Sequence, residues 1–382
     1  MPRLLISTGE ASGDLQGAVL IQALQRQAQA RGLKLEIDAL GGDQMAAAGA
    51  RLLGHTVQIG SVGLVEHLPY IVPTLRLQRR VQQQVRSHPP DLTVLIDYVG
   101  FNLALGLQLK RLGRPVIYYI APQEWVWATA NTRGVLTVAD RILAIFQQEA
   151  AYYAQRGGQV TWVGHPMLDV LSPSLNRASA RAQLGMDADR LVVALLPASR
   201  HQEIRLLWPA LCGAAALIQR AHPSAEFWVP LALSQYQQQL EQDMAAQGVR
   251  GRVVAGDPRQ VIAAADLALA KSGTVNLEIA LLGVPQVVIY RVSPLTAWLA
   301  RRIMGFKIPF MSPVNLVLME GIVPELLQEA ATPTAICEQA LALLTPAGRA
   351  RLTQDYTRFR QALGEPGASD RAAQVILDAL PS

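Results

Sequence analysis

Short apolar runs that end in small or acidic residues, each followed by an amphipathic stretch, recur along the chain, and this alternation limits the possible folds most. Residues 4–7, 92–96, 115–120, 141–146 and 160–163 read as strands of one half. Residues 191–196, 227–230, 252–255, 267–270 and 286–290 repeat the same grammar in a second half. Strands that alternate with helices need crossover connections, and crossovers give parallel sheets covered on both faces. The expected fold class is therefore α/β, with two Rossmann-like doubly wound domains facing a cleft and C-terminal helices closing back on the N-terminal half. A length of 382 residues fits two domains of about 150–200 residues each. The expected bounds are 1–171, 172–350 and a closing segment 351–382, with residues 172–185 as a linker lacking any strong period.

Composition narrows the classes of function. Apolar residues make up 51% and charged residues 16% of the chain, so a large core can be buried and disorder is not expected. The 34 Lys and Arg against 29 Asp and Glu give a net charge of +5, which suits anionic lipid surfaces or phosphorylated substrates. There is no run of interleaved basic and aromatic residues, and nucleic acid is not an expected partner. Cys212 and Cys337 stand far apart in apolar or helical contexts and read as reduced core thiols, so neither a disulfide nor a metal site is expected. No uninterrupted apolar run approaches the roughly 18 residues that span a bilayer. Without a cleavable leader pattern at Met1, the expected location is cytoplasmic, with any membrane contact peripheral.

The turns after the strands carry the chemistry. Residues 267–285, LALAKSGTVNLEIALLGVP, read as a strand, a tight turn and a helix start. Backbone N–H groups there, with the Ser272 and Thr274 hydroxyls and the close approach that Gly273 permits, suit a diphosphate. Glu278, one turn on, can reach a ribose diol along the same face. The alternative is an ordinary capped helix, and the motif by itself does not decide between them. Lys271 reads either as a phosphate ligand or as a solvent-facing side chain.

In the first half, Gly9-Glu10-Ala11-Ser12-Gly13-Asp14 follows the first strand and precedes an amphipathic helix over residues 15–31. Glu10, Ser12 and Asp14 are thereby placed at the carboxyl end of the sheet, where such folds bind ligands, although Asp14 also reads as a helix cap. Asp97 ends the apolar strand 92–96 and is the candidate general base, with a turn or capping role, shared by Asn102, as the competing reading. Trp125 and Trp127 can hold an acyl chain or a sugar face, or simply pack. Arg200, in the turn after residues 191–196, can neutralise a pyrophosphate or pair with Glu203. Residues 61–80 join the apolar side chains Val62, Leu64, Val65, Leu68, Ile71, Val72 and Leu75 to Arg76, Arg79 and Arg80. That stripe suits either an anionic membrane surface or the protein core.

Taken together, Gly9 to Asp14, Ile96-Asp97 with Phe101-Asn102, Pro122 with Trp125-Val126-Trp127, Gly164-His165-Pro166, Leu196-Pro197 with Ser199-Arg200 and Glu203, Ser272-Gly273-Thr274 with Leu277-Glu278, and Pro313 with Asn315-Leu316 resemble the lipid-A-disaccharide synthase family. The resemblance covers nearly the whole chain in order. It implies a GT-B fold and a metal-independent, inverting glycosyl transfer with no cofactor. UDP-2,3-diacylglucosamine would be the donor and 2,3-diacylglucosamine 1-phosphate the acceptor, giving UDP and a β-1,6 disaccharide. It further implies Asp97 as base, Glu10 and Asp14 on the acceptor side, and Ser199, Arg200, Glu203, Ser272, Gly273, Thr274 and Glu278 around UDP, with Asn315 beside the donor. A protein peripheral to the inner face of the cytoplasmic membrane, and a homodimer with exchanged C-terminal segments, are implied as well. The chain departs from the family pattern at Val99, Ala198, Ala128 and Asn131, and at Gln147-Gln148-Glu149. Two other functions fit the same residues: another GT-B UDP-sugar enzyme, such as an epimerase or a transferase with a different acceptor, and a non-catalytic UDP-sugar lipid binder.

Overall fold

The computed structural model describes residues 1–57, 71–126, 130–171, 174–198, 201–231, 233–293, 298 and 309–381, with the backbone alone for residues 71–73. The chain forms two compact units, Met1–Val170 with Leu363–Ser382, and Leu171–Ala362.

In the first unit the strands are β1 (Arg3–Ser7), β2 (Glu36–Gly41), β3 (Arg51–His55), β4 (Leu92–Ile96), β5 (Val116–Tyr119), β6 (Arg141–Ala144) and β7 (Val160–Trp162). They pair in parallel in the order β3-β2-β1-β4-β5-β6-β7. Strand order reverses between β1 and β4, where Ser7 lies beside Leu95, so the loops leaving these two strands open side by side. β4 is buried along its whole length, as a strand with helices on both faces must be.

The second unit repeats the plan with β8 (Val192–Leu196), β9 (Glu226–Pro230), β10 (Gly251–Val254), β11 (Leu267–Lys271), β12 (Gln286–Tyr290) and β13 (Glu325–Leu327). Their order is β10-β9-β8-β11-β12-β13, so the reversal falls between β8 and β11. The turns after β8 and β11 hold the second set of candidate residues. β2, β3 and β13 were not among the runs read as strands, and β13, three residues at a sheet edge, left no pattern to read.

Two expectations change. The stretch read as a linker contains the helix Arg177–Leu184, where Asn176 accepts from the backbone N–H of Ser179 at 3.0 Å and Gly185 ends the helix in the left-handed region. Its apolar side chains are mostly alanines, too weak a stripe to register, and its end signals were the only readable mark. Arg181 on this helix is buried. Its guanidinium donates to the carbonyls of Ala264, Asp187, Ala188 and Arg190 and, at 2.7 Å, to the Asp266 carboxylate. The helix after β1 begins at Ala11 with Glu10 as its N-cap, so Ser12 and Asp14 already lie within its first turn.

After the helix Pro346–Ala362 of the second unit, the chain returns to the first as the helix Ala368–Asp378. Ala368, Ala372, Ala373, Ile376 and Leu377 are buried there, and this helix packs on Ala11–Ala30. The Asp169 carboxylate accepts from the N–H groups of Gly367 and Ser369 at 2.5 and 2.7 Å, fixing the helix start. The rim pairs Arg26–Asp370 and Arg31–Asp378 are exposed and add little.

Replacing Arg181 by Met leaves Asp266 buried without its closest cation, and we expect the second unit to lose about 3–5 kcal/mol of stability. Urea unfolding followed by tryptophan fluorescence measures this, since Trp208 and Trp228 are both buried in that unit.

Candidate active site

At the strand-order reversal of the first unit, the carboxyl ends of β1 and β4 build one surface. Gly9 is required after β1 because a Cβ there would lie 2.3 Å from the Tyr98 ring. β4 is followed by Asp97 and Tyr98, both in the left-handed region with φ of 45° and 49°. Such strain in two consecutive non-glycine residues persists only when the surroundings over-determine it. Here the Asp97 N–H donates to the Ile120 carbonyl at 3.0 Å, while the Asp97 carbonyl accepts from Asn102 Nδ2 and the Tyr118 hydroxyl, both at 2.8 Å. Asn102 is fully buried and accepts from the Ser7 hydroxyl at 2.6 Å, so the turn after β4 is tied to β1. The capping role considered for Asp97 is thus met by its backbone and by Asn102, and no side-chain cap bond is formed at the helix that follows.

The Asp97 side chain is half-buried. Desolvation, and then the neighbouring Glu10 carboxylate, push its pKa up to about 7, against the stabilising N–H of Tyr98. Glu149, noted in the sequence only as a departure from a pattern, adds a second perturbed acid. It is fully buried at the start of the helix Gln147–Ala154, and Oε2 accepts from the N–H groups of Ile145 and Phe146 at 2.8 and 3.3 Å. Burial dominates, the backbone N–H bonds offset it in part and the charge of Asp97 adds a little, and together they bring its pKa to about 8. An acid in the first turn after an apolar run was the available signal. His165 is buried and neutral, its pKa pushed down to about 3 by desolvation; Nδ1 accepts from the Met167 N–H at 3.1 Å. Its ring lies against Phe146, which meets Trp125 edge-on at 6.1 Å.

Of the other candidates in this unit, Asp14 is buried. Its carboxylate accepts from the N–H groups of Gly42, Gln44 and Met45 at 2.8–3.1 Å, capping the short helix Asp43–Ala47 rather than its own. Ser12 is half-buried in the same first turn of the helix Ala11–Ala30. Trp127, Val62, Leu64, Val65 and Leu68 lie outside the described residues, as do the side chains of Ile71 and Val72. Leu75 is 47% exposed on the helix Ile71–Ser87, beside the exposed Arg76, Arg79 and Arg80, while Val81 and Val85 of the same helix are buried. The helix therefore serves the core along one stripe and presents Leu75 and the arginines on another.

In the second unit, β8 ends at Leu196, and Ser199 and Arg200 lie outside the described residues. Glu203 pairs with Lys271 at 2.6 Å, which ties the start of the helix His201–Ala221 to the end of β11. Lys271 is therefore neither solvent-directed nor unpaired. The Ser272 hydroxyl donates to the Met311 carbonyl at 2.6 Å, and the Gly273 N–H donates to Asn276 Oδ1 at 2.8 Å. Thr274 is the half-exposed N-cap of the helix Val275–Leu281, and its side chain makes no capping bond. Glu278 is buried 3.5 Å from Arg259; desolvation raises its pKa, and Arg259 offsets this in part. Asn315 is saturated internally. Its Oδ1 accepts from the N–H groups of Ile322 and Val323, and its Nδ2 donates to the Val323 carbonyl and to Glu325. Glu325 also accepts from the N–H groups of Met311 and Ser312, so Asn315 and Glu325 together hold the loop that receives Ser272.

The triplet Asp187-Ala188-Asp189, of the kind that holds a divalent ion in some transferases, is occupied with its own turn. Asp187 accepts from the Asp189 N–H at 2.9 Å and pairs with Arg190. Among the described residues no group of three or more His, Cys, Asp or Glu side chains is disposed to hold a metal ion, and no helix is long and apolar enough to cross a membrane. Cys212 and Cys337 are free and buried.

Comparison with known proteins gives this geometry a context. A family model described as lipid-A-disaccharide synthetase matches residues 4–379. Curated relatives named lipid-A-disaccharide synthase include one from Gloeothece citriformis, 52% identical with 98% of this chain and 99% of the relative covered, and one from Prochlorococcus marinus, 52% identical with 99% of each covered. Among solved structures, a Staphylococcus aureus MnaA–UDP complex superposes with a TM-score of 0.69 at 13% identity, covering 100% of this chain and 99% of that one. Acinetobacter baumannii MurG superposes with a TM-score of 0.61 at 16% identity, covering 99% and 100%. At such identities these two establish the fold alone, a GT-B-type pair of doubly wound sheets.

Because Glu149 binds its proton more tightly folded than unfolded, its charging lowers stability progressively as pH rises from about 4.5 to about 8, and the loss is complete above that. Glu149→Gln mimics the neutral acid. Its thermal midpoint should match the parent below pH about 4.5 and exceed it increasingly up to pH about 8, as thermal denaturation across that range will reveal.

Proposed function

The chain belongs to the lipid-A-disaccharide synthetase family, and from that premise we propose how its own residues carry the synthase reaction. The donor is UDP-2,3-diacylglucosamine and the acceptor 2,3-diacylglucosamine 1-phosphate. The Asp97 carboxylate takes the proton of the acceptor 6-hydroxyl as that oxygen attacks the donor's anomeric carbon. The bond from that carbon to the diphosphate oxygen breaks on the opposite side, and its electron pair leaves with UDP. Inversion gives the β-1,6 disaccharide 1-phosphate. The observation that carries this reading is the strained turn after β4: it holds, at the strand-order reversal, a carboxylate whose pKa of about 7 suits a base working near neutral pH.

Glu10 acts on Asp97 through its charge, and Asp14 acts by fixing the loop after β2 around the acceptor side, with Ser12 beside it. UDP is held in the second unit by Ser199 and Arg200 and by the turn Ser272-Gly273-Thr274, with Glu278 toward the ribose. Glu203 acts there through Lys271, and Asn315 through the loop that receives Ser272. Arg200 and the backbone N–H groups where the helix after the turn begins offset the charge of the departing diphosphate. The relatives at 52% identity favour this synthase over an epimerase or a non-catalytic binder.

Peripheral contact with an anionic membrane is part of the proposal, through Leu75, Arg76, Arg79 and Arg80 together with Val62, Leu64, Val65, Leu68, Ile71 and Val72, and Trp125 and Trp127 border the acyl chains. A homodimer formed by exchange of the C-terminal segment would reuse the Asp169 and Arg26 contacts, supplied then by the helix Ala368–Asp378 of a second copy.

Purified protein incubated with both lipid precursors should release UDP and yield the disaccharide by mass spectrometry; inactivity with authentic substrates refutes the assignment. Asp97→Asn should keep UDP affinity while turnover falls by about 10²–10⁴. In the parent enzyme kcat/KM should rise with pH through about 7 as Asp97 ionises, and Glu10→Gln should move that limb to lower pH by removing the repelling charge. Arg79→Glu with Arg80→Glu should weaken flotation with anionic but not neutral liposomes.

A further inference from the structure

Three side chains form a buried polar chain behind the Ser272–Thr274 turn, and its direction is determined by chemistry. The Val284 carbonyl can only accept, so the Tyr356 hydroxyl donates to it at 3.0 Å. The Tyr356 oxygen then accepts from Gln286 Nε2 at 3.2 Å, and the same amide nitrogen donates to the Asn276 carbonyl at 3.0 Å. This leaves Gln286 Oε1 to accept from Asn276 Nδ2 at 3.0 Å, and Asn276 Oδ1 to accept from the Gly273 N–H at 2.8 Å. Turning either amide over would set donor against donor and acceptor against acceptor. Gln286 and Asn276 have no exposed surface and Tyr356 has 6%, so water cannot repair such a reversal. Every member of the chain has a partner, and only one arrangement satisfies all of them.

The Gly273 peptide is therefore oriented from behind by Tyr356, a residue of the helix Pro346–Ala362. Its N–H is committed inward, its carbonyl accepts from the Asn276 N–H at 3.0 Å, and the preceding Ser272 hydroxyl is committed to Met311. What the turn can offer a ligand is the half-exposed Thr274 hydroxyl and the amides at the start of the helix. Their position follows from how firmly Gly273 is held.

We infer that Asn276 and Gln286 are positioning residues for the diphosphate of the nucleotide-sugar donor, fixing the Ser272–Thr274 turn through a directed hydrogen-bond chain that Tyr356 terminates. This inference rests on the placement of UDP at that turn. Neither side chain touches the nucleotide, so their effect is on donor geometry and not on the transferred proton.

The test is UDP titration by calorimetry combined with steady-state kinetics on Gln286→Met, Asn276→Ala and Tyr356→Phe. Gln286→Met and Asn276→Ala should raise Kd for UDP and KM for the donor between about tenfold and a hundredfold, as displaced binding geometry does. KM for the acceptor should be unchanged, and kcat at saturating donor should stay within about twofold of the parent, the pattern of lost uniform binding. Parent-like UDP affinity in Gln286→Met, even with a lowered melting temperature, overturns the inference and leaves the chain a packing feature only. Should Gln286→Met fail to fold, Tyr356→Phe, which removes one oxygen, carries the test: several-fold weaker UDP binding supports the inference and unchanged binding overturns it. Thr274→Val separates the two levels. If it binds UDP as the parent does, or if the parent binds none, the donor-site reading fails and this inference with it.

Discussion

The side chain of Asn102 is the contact on which the first unit's chemistry depends. Its amide donates to the carbonyls of Ser7, Ile96 and Asp97, and its carbonyl oxygen accepts from the Ser7 hydroxyl. One buried amide thus joins the ends of the two strands between which strand order reverses. Removing it would leave several buried polar groups unpaired, each worth about 1–3 kcal/mol. That reserve is what allows two successive residues to stay in the left-handed region and present the Asp97 carboxylate outward. The second unit meets the same requirement with other means: Asn276 behind the turn after β11, and Glu325 with Asn315 beneath the loop that receives Ser272.

Both units therefore use a common device. The residues proposed to meet substrate stand on turns, and each turn is fixed by a buried amide or carboxylate that does not meet substrate. A carboxylate whose oxygens are all engaged with backbone N–H groups, as in Asp14, sets geometry; one left half-buried beside another acid, as in Asp97, is available for proton transfer.

This division also explains what the sequence made legible. The strands β4 and β12 were readable to the residue, because buried parallel strands are uninterrupted apolar runs bounded by turn residues. Asp97 stood out for ending such a run. Side-chain partners were not legible, since they join residues distant in sequence. Glu203 pairs with Lys271, Glu278 meets Arg259, and Asn315 faces inward to Glu325. Asp14 was readable as a cap, but not as the cap of a helix nearly thirty residues on. The helix Arg177–Leu184 was missed because alanine carries little periodic signal, although Asn176 and Gly185 marked its ends. Glu149 was visible as a residue and not as a buried acid, for burial is a property of the fold.

The return of the chain from the second unit to the first has a consequence for biosynthesis. Residues 1–170 leave the ribosome first, yet the surface of the helix Ala11–Ala30 that receives Ala372, Ala373, Ile376 and Leu377 stays uncovered until the whole of residues 171–362 has been made. The second unit is continuous in sequence and can close as it emerges, whereas the first waits for its last helix. During translation the earliest-made half thus carries an apolar surface open to solvent or to a chaperone, and completion of the first unit reports that the second has already been synthesised.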